Sequence, residues 1–152
     1  MIFPDSDITA VDPLLDKYEK DLPLFSKTDY PNVQFIQSPI EKFVPAKKFD
    51  YVFCMNAINH VSDITKGFEV LADCCAEKGK IIVTIDAHNN ALMKAIFRIG
   101  PGDVLHPHQY DVQEYTAFLE RVGFKVIKSI NLEPGHIFDL CLLVAERTTI
   151  TT

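Results

Sequence analysis

The residue whose type and position most clearly suggest chemistry is Asp12, a carboxylate that ends the short apolar run Ile8–Val11. In α/β folds that bind nucleotides, an acidic residue at the carboxyl end of the second strand accepts hydrogen bonds from ribose hydroxyls. The glycine-rich turn that cradles the rest of such a cofactor should lie about 20 residues upstream of that acid. Only 11 residues precede Asp12, and none of them is glycine. Asp12 is therefore either a ribose-binding residue without the usual turn or an ordinary turn residue before Pro13.

Three histidines are candidates for proton transfer. His88 follows an apolar, strand-like segment, and His106 and His108 lie in an irregular stretch further along the chain. An imidazole titrates near neutral pH and can accept a proton from a substrate nucleophile. The same side chains could ligate zinc or could be ordinary loop residues. No paired cysteines and no HExxH motif support a zinc site, so we expect no metal.

Size and charge limit the classes of function. The chain has 152 residues and a mass of 17.2 kDa, which suits one ordinary domain. We expect that domain over residues 1–147, with 148–152 as a tail. The formal net charge of -6 and the isoelectric point near 5.3 argue against binding to nucleic-acid phosphates.

The cysteines and the apolar runs indicate a reducing, cytoplasmic location. The four cysteines form no CxxC pair and are not expected to form disulfides; they are Cys54, Cys74, Cys75 and Cys141. The amino end lacks the basic region and apolar core of a signal peptide. The longest apolar runs fall far short of a membrane span, so no membrane partner is expected.

Apolar periodicity predicts an alternation of strands and helices. Strands are predicted at 8–11, 32–37, 50–55, 80–85, 124–130 and 139–146, and helices at 14–20, 63–77, 90–98 and 111–122. Ser62 or Asp63 is a plausible N-cap of the second helix, and Gly79 a plausible stop. This order predicts one α/β layer structure with a mostly parallel sheet.

Three segments carry a family resemblance: ITAVDPL, then FDYVFCMNAINHV, then GKIIVTIDAHN with the later YTAFLERVGFKVI. In this order they resemble the second, fourth and fifth strands, and the closing helix and strand, of class I S-adenosylmethionine-dependent methyltransferases, especially the type 11-like small-molecule group. The resemblance implies a Rossmann-like α/β fold with a mostly parallel sheet and an antiparallel C-terminal strand. It also implies S-adenosylmethionine as the cofactor and a small molecule as the substrate.

The resemblance further implies cofactor contacts at the carboxyl ends of the first three strands. The residues that match these positions are Asp12, Pro13 and Leu14 for ribose and adenosine, Ser38 and Ile40 for adenine, and Asn56 and Ala57 for the methionine part. Each group has a simpler structural alternative. The first could be a helix start, the second an ordinary turn, and the third a helix cap formed by Asn56.

The chain departs from the family pattern on the cofactor side. The first strand and its glycine-rich loop are absent, and FIQSPIEKF offers Ser38 and Pro39 where an aspartate is usual. Without that strand, the strands at 8–11 and 50–55 each lose a neighbour, and every buried backbone group left unpaired costs about 1–3 kcal/mol. Either these two strands pair directly, or another chain lends a strand, or the sequence is part of a longer protein. We expect that the sequence comes from a longer protein. In a folded chain, we expect either that the two strands pair directly or that another chain supplies a strand.

These observations lead to three hypotheses of function. The first is methyl transfer to a small molecule, impaired because the amides that hold the carboxypropyl end of the cofactor are missing. The second is a non-catalytic module that serves as a partner or regulatory subunit and forms a homodimer through unpaired strands. The third is a fragment of a nicotinamide-dependent Rossmann enzyme, which would not predict an antiparallel closing pair of strands. The absence of a catalytic triad does not argue against methyl transfer, because correct placement of an activated methyl donor supplies much of the rate acceleration.

Overall fold

The structure is a computed structural model that describes residues 5–99, 108 and 110–148. The strands are β1 (Ile8–Val11), β2 (Val33–Ile36), β3 (Phe49–Met55), β4 (Cys75–His88), β5 (Phe124–Glu133) and β6 (Phe138–Arg147). The α-helices are α1 (Leu15–Asp21), α2 (Ile64–Cys74), α3 (Ala91–Ile99) and α4 (Val112–Arg121). Short 3-10 turns lie at Lys27–Asp29, Ile40–Lys42 and Ile58–His60.

The chain divides into two compact units, residues 1–44 and residues 45–152. In the first unit, β1 and β2 pair in parallel, from Ile8 beside Val33 to Val11 beside Ile36. Parallel neighbours need a crossover connection, and the segment that contains α1 supplies it. An aromatic cluster packs this unit together, with ring centroids about 6 Å apart among Tyr18, Phe25, Tyr30 and Phe35.

The second unit contains a four-stranded sheet in the order β3-β4-β6-β5. β3 runs parallel to β4, and β6 runs antiparallel to both β4 and β5. Three strands therefore share one direction, and the C-terminal strand opposes them. This arrangement confirms the predicted Rossmann-like α/β fold with its antiparallel C-terminal strand, and it argues against the fragment of a nicotinamide-dependent enzyme.

The core of the second unit lies between one face of this sheet and the helices α2 and α4. Val83 and Ile85 of β4 are fully buried, as is Leu119 of α4. Phe68 of α2 stacks on Phe118 of α4, with ring centroids 5.4 Å apart. Burial of each such side chain contributes about 1.5–3 kcal/mol, so this face holds the unit together.

Both core helices begin at aspartate caps. The Asp63 carboxylate accepts a hydrogen bond from the Lys66 amide at 3.0 Å, which confirms Asp63 as the N-cap of α2. Asp111 forms a capping box with Glu114, in which each side chain accepts from the other's backbone amide. The sequence pattern thus located both helix starts.

The predicted end of α2 is wrong. The helix stops at Cys74, and Gly79 lies inside β4 rather than at a helix terminus. Cys75 and the residues after it extend the pairing of β4, with Cys75 beside Phe49 of β3. A Cβ atom on Gly79 would lie 2.9 Å from the carbonyl oxygens of Phe49 and Asp50. The glycine is therefore required by the close approach of β3.

The sequence left two alternatives for a folded chain, direct pairing of the strands at 8–11 and 50–55 or a strand supplied by another chain, and the structure does not show the direct pairing. β1 and β3 belong to two different sheets, where β1 pairs with β2 and β3 pairs with β4. Each of the two is the end strand of its own sheet among the described residues.

We predict that Gly79→Ala destabilises the protein by about 1–3 kcal/mol, because the new methyl group would press on two backbone carbonyls of β3. Urea unfolding followed by circular dichroism measures the change. Lys78→Ala is the matched control, since Lys78 is exposed in the same strand and already carries a Cβ atom. Equal stability of the two variants would contradict this account of Gly79.

Candidate functional site

Asp12 lies where the sequence predicts, directly after β1. Its amide donates to the carbonyl oxygen of Ile36 at 3.2 Å, which extends the ladder with β2 by one bond. Its carboxylate Oδ1 accepts from the Leu14 amide at 2.6 Å and so folds the turn back on itself. Partial burial raises the pKa of Tyr18, and the Asp12 carboxylate raises it further by its charge and by accepting a hydrogen bond from the tyrosine hydroxyl. Asp12 is therefore both a turn residue and a fixed carboxylate at the strand end.

The carboxylate of Asp12 retains capacity for a ligand. A carboxylate offers about four acceptor positions. The Leu14 amide and the Tyr18 hydroxyl use two of them. The remaining positions suit a pair of hydroxyl donors such as a ribose diol. Pro13 and Leu14 beside it are exposed.

The turn after β2 lies at the same edge as Asp12, because β1 and β2 are parallel. The Ser38 hydroxyl donates to the carbonyl oxygen of Pro39 at 2.9 Å, and Ile40 begins the 3-10 turn that follows. The sequence gives no sign of a further contact made by Gln37. Its side-chain oxygen accepts from the Asp16 amide at 3.0 Å and ties the end of β2 to the start of α1.

The turn after β3 is held by two buried side chains of the second unit. Asn56 has φ +48°, and its amide donates to the Thr84 hydroxyl of β4 at 2.7 Å. The Cys54 sulfur interacts with the amides of Ala57 and Ile58, and burial raises the pKa of this thiol to about 11. Asn56 does not cap the 3-10 turn, whose N-cap is Ala57, so the capping alternative is wrong. Asn56 and Ala57 are both exposed at this edge.

Asn59 is a polar residue of this turn that sequence reasoning missed. It is 1% exposed, and its side-chain nitrogen donates to the Asp86 carbonyl oxygen at 3.4 Å. Its side-chain oxygen has no hydrogen-bond partner among the described residues. An asparagine in an otherwise apolar stretch was the signal that could have identified it, since a buried amide is costly unless it has a structural or binding role.

His88 ends β4 and lines a cavity of about 440 Å³. The residue is 5% exposed, and its ring lies 4.3 Å from that of Phe138 on the neighbouring strand β6. Its amide donates to the Tyr110 carbonyl oxygen at 2.9 Å. The other lining residues are mostly polar; they include Asn89, Asn90, Lys94, Asp111, Gln113 and Asp139. The volume falls in the range that accommodates small ligands.

Of the other two predicted histidines, His108 is described by the structure and does not line this cavity. His108 is half-buried, and its Nε2 lies 2.6 Å from the carbonyl oxygen of Val61, so this ring secures a backbone group. It also stacks on Tyr110 at 5.9 Å between centroids. His106 lies outside the described residues. Of the two candidates that the structure describes, His88 is the one that lines this cavity.

An ion-pair cluster forms one wall of the cavity. The Lys94 ammonium group of α3 bonds to the Asp111 carboxylate and lies 3.1 Å from the Glu114 carboxylate. These two hydrogen bonds raise the pKa of Lys94. Burial raises the pKa of Asp111. The hydrogen bonds from the Lys94 side chain and the Glu114 amide have the larger combined effect, so the pKa of Asp111 is lowered. Lys94 and Asp111 therefore stay charged at neutral pH, and the cluster fastens α3 to α4.

A second cluster forms the opposite part of the lining. The Asp139 carboxylate accepts from the Gly135 amide at 3.0 Å and from the side-chain nitrogens of Asn89 and Asn131 at 2.9 and 2.8 Å. These donors, the Gly135 amide foremost, lower the pKa of Asp139. Asn89 also donates to the Gly135 carbonyl oxygen at 2.7 Å. The segment after His88 is thus fixed to the β5–β6 hairpin.

No group of three or more histidine, cysteine, aspartate or glutamate residues in the described ranges is placed to hold a metal ion. Within the same ranges, no helix combines the length and the apolar character needed to cross a membrane.

A family model described as a methyltransferase domain matches residues 2–129. No curated protein matches the sequence. Among solved structures, a putative methyltransferase from Bacillus halodurans has a TM-score of 0.72 at 13% identity, with 95% of this chain and 84% of that chain covered. At this level of identity the likeness shows the fold.

Two other solved structures share the fold. The 1,6-didemethyltoxoflavin-N1-methyltransferase of Burkholderia thailandensis, solved with 1,6-didemethyltoxoflavin and S-adenosylhomocysteine, has a TM-score of 0.66 at 13% identity. The match covers 94% of this chain but 62% of that enzyme, so this chain spans less than two thirds of its length. A putative methyltransferase from Haloferax volcanii in complex with the Trm112 activator has a TM-score of 0.63 at 12% identity, with 95% and 84% covered.

We predict that Asp139→Asn lowers the melting temperature most at neutral pH. The carboxylate's folded-state pKa is below its ordinary value of 3.8, so its stabilisation is complete above that value and is lost as the pH falls through the folded-state pKa. Thermal unfolding measured between pH 7 and about pH 2 should therefore show that the difference in melting temperature between wild type and variant decreases as the pH falls. The exposed Asp73 on α2 provides the control variant Asp73→Asn. A gap that is constant with pH would contradict the role assigned to Asp139.

Proposed function

Since the chain belongs to the family of methyltransferase domains, we propose that it is a cytoplasmic domain for S-adenosylmethionine-dependent methyl transfer to a small molecule. The observation that carries the proposal is the placement of Asp12, a fixed carboxylate with acceptor capacity at the carboxyl end of β1. The family match spans both compact units, which supports one functional domain over residues 1–147. The cytoplasmic location is supported by four cysteines that are all free and buried.

The residues of the first unit fit the adenosine part of the cofactor. Asp12 would accept from the ribose hydroxyls, with Pro13 and Leu14 exposed beside it. Ser38 and Ile40 would border adenine; the Ser38 hydroxyl, which donates to Pro39, could still accept from the adenine amino group, and a backbone amide is the alternative polar contact. In the second unit, Asn56 and Ala57 would face the methionine part. When bound, S-adenosylmethionine supplies a methyl group already activated by the sulfonium.

The cavity at His88 supports a small polar acceptor. Its volume of about 440 Å³ would admit a small molecule, and its lining amides can orient hydroxyl or amine groups. We assign His88 the role of accepting a proton from the acceptor, because it is the histidine on the cavity wall. His106 and His108 were candidates for the same role, but the bond of His108 to Val61 favours a structural one. The net charge of -6 supports an acceptor other than nucleic acid.

We further propose that cofactor affinity is weak in this chain. Residues 1–66 contain no glycine, so no glycine-rich loop lies near β1 to present backbone amides to a carboxylate. Asp12 is present to bind the ribose, while the glycine-rich loop that usually binds the carboxypropyl end of the cofactor is absent from the sequence. Binding energy should therefore come mainly from the adenosine part.

We expect S-adenosylhomocysteine and adenosine to bind the chain with similar, weak affinities, measured by calorimetry at high protein concentration. Asp12→Ala should weaken both about tenfold or more, because a charge-assisted hydrogen bond contributes about 1.5–3 kcal/mol. Asp29→Ala, at an exposed aspartate in the same unit, should leave binding unchanged. Micromolar binding of S-adenosylhomocysteine would refute the weak-affinity proposal, and unchanged binding by Asp12→Ala would refute the ribose assignment.

We expect His88→Gln to lower kcat/KM by about 10²- to 10⁴-fold, as loss of a general base does. The assay follows release of S-adenosylhomocysteine from excess S-adenosylmethionine in the presence of small phenols, amines and thiols. His136→Gln is the control, because His136 is exposed in the β5–β6 turn. Equal rates for the two variants would remove His88 from the reaction.

A second candidate function is a non-catalytic partner or regulatory subunit. The observation that favours it is β3, an end strand with exposed apolar side chains that could receive another chain. The Haloferax volcanii neighbour, crystallised with an activator, supports protein partnership on this fold. Absence of turnover for every acceptor, combined with stable self-association or partner binding, would favour this candidate.

A further inference from the structure

The wall of the cavity at His88 has an apolar part and a polar part. An apolar part can hold a hydrocarbon body, and convergent polar groups can orient the other end of a ligand. The apolar residues are Ala87, Ala91 and Val112, and the uncharged polar residues are Asn89, Asn90 and Gln113. A small molecule with an apolar body and one polar end would fit both parts. The charged residues of the wall decide which polar end is favoured.

The positive charge on this wall is already compensated. Lys94, Asp111 and Asp139 are the lining residues with a formal charge at neutral pH, which gives the lining a net charge of about -1. Lys94 is paired with Asp111, and its ammonium group also lies 3.1 Å from the Glu114 carboxylate. Among the described residues, the wall therefore presents no uncompensated positive group to an anionic ligand.

The negative charge of Asp139, in contrast, is not compensated by its bonded partners. The carboxylate accepts from the Gly135 amide at 3.0 Å and from the side-chain nitrogens of Asn89 and Asn131 at 2.9 and 2.8 Å. These neutral donors keep the group ionised without supplying an opposite charge. They use three of about four acceptor positions of a carboxylate. Asp139 thus has one position left for a donor, and a cationic donor would suit it best.

We propose that this cavity selects a small amine with an apolar body, and that Asp139 is the residue that confers the selectivity. The amine would be the methyl acceptor, so the inference rests on the proposed function. Its ammonium group would donate to the remaining acceptor position of Asp139, while its body lies against Ala87, Ala91 and Val112. Carboxylates and phosphates would be repelled by the same charge, and neutral alcohols would gain no ionic attraction.

The charge of the wall also favours the reaction of an amine. The bound ammonium ion first gives one proton to the His88 imidazole. Its nitrogen lone pair then forms a bond to the methyl carbon, while the bond from that carbon to the cofactor sulfur breaks and leaves its electron pair on sulfur. The positive charge therefore ends on the methylated nitrogen, in the same cavity as Asp139. A thiolate or phenolate acceptor would instead bring a negative charge into this cavity before the reaction.

Ligand binding in the absence of cofactor tests the selectivity separately from catalysis. The probes are benzylamine, benzyl alcohol and benzoate, which share an apolar ring and differ in charge. The imidazole NMR signals of His88, assigned by their loss in His88→Gln, report occupancy of the cavity. The wild type should bind benzylamine about threefold or more tightly than benzyl alcohol, which is the effect of one exposed ion pair, and benzoate most weakly. Salt should reduce the preference for benzylamine, because it screens an exposed charge.

Asp139→Asn should bring the affinities for benzylamine and benzyl alcohol close to each other, because the amide side chain is neutral. Asp73→Asn is the matched control, since it removes one exposed carboxylate from α2, outside the cavity lining, and should keep the preference. Circular dichroism at the temperature of the titration checks that both variants are folded. The salt dependence of the wild type tests the same charge without any substitution.

Three outcomes would overturn the proposal. They are equal affinities of the wild type for the three probes, no benzylamine binding up to about 100 mM, and an unchanged preference in folded Asp139→Asn. The methyl-transfer assay separates this inference from the proposed function. Selective amine binding without turnover of any acceptor would support the selectivity and count against methyl transfer. Turnover of phenols or thiols in preference to amines would support methyl transfer and overturn the amine selectivity.

Discussion

Backbone pairing along β4 is the constraint on which the second unit depends. This strand is paired on both sides, with β3 in parallel and with β6 in antiparallel orientation. Its inward side chains Ile81, Val83 and Ile85 are fully buried. Because both ladders and the core meet at β4, groups attached to it have little freedom. The turn after β3 is tied to its Thr84 side chain, and the cavity begins at its last residue, His88.

The same constraint explains why the cavity walls are rigid. Cavity walls made of loops would be mobile unless their polar groups were bonded, and here they are bonded within the chain. Lys94 joins α3 to the capping box of α4, and Asp139 joins the segment after β4 to the β5–β6 hairpin. The cavity is therefore shaped before any ligand arrives.

In the first unit the proposed cofactor binding depends on one carboxylate, Asp12, which also folds the turn after β1. The bonds from Leu14 and Tyr18 hold Asp12 in a fixed position, which lowers the entropic cost of binding a ligand there. The unit itself is small, with a two-stranded sheet and a cluster of four aromatic rings. The two units thus differ in what they expose: the first has the Asp12 carboxylate at a strand end, and the second has the apolar side chains of Tyr51, Phe53 and Met55 on β3.

The sequence by itself determined which elements form and where chemistry is possible. Alternation and helical periodicity located the six strands and four helices of the described residues, and cap preference narrowed the start of α2 to Ser62 or Asp63. These features are local, since they depend on residues within a few positions of one another. An acid directly after an apolar strand likewise placed Asp12 at a strand end without knowledge of its neighbours.

Only the tertiary structure decided which of these groups meet. Gly79 looked like a helix stop, yet the approach of β3 required it within a strand. Three histidines were equivalent in the sequence, and long-range contacts placed His88 on a cavity and His108 against the Val61 carbonyl oxygen. Gln37 and Asn59 make bonds to residues 21 and 27 positions away, which no local pattern encodes. The reason is physical: local preference depends on neighbours in the chain, whereas pairing and burial depend on segments that folding brings together.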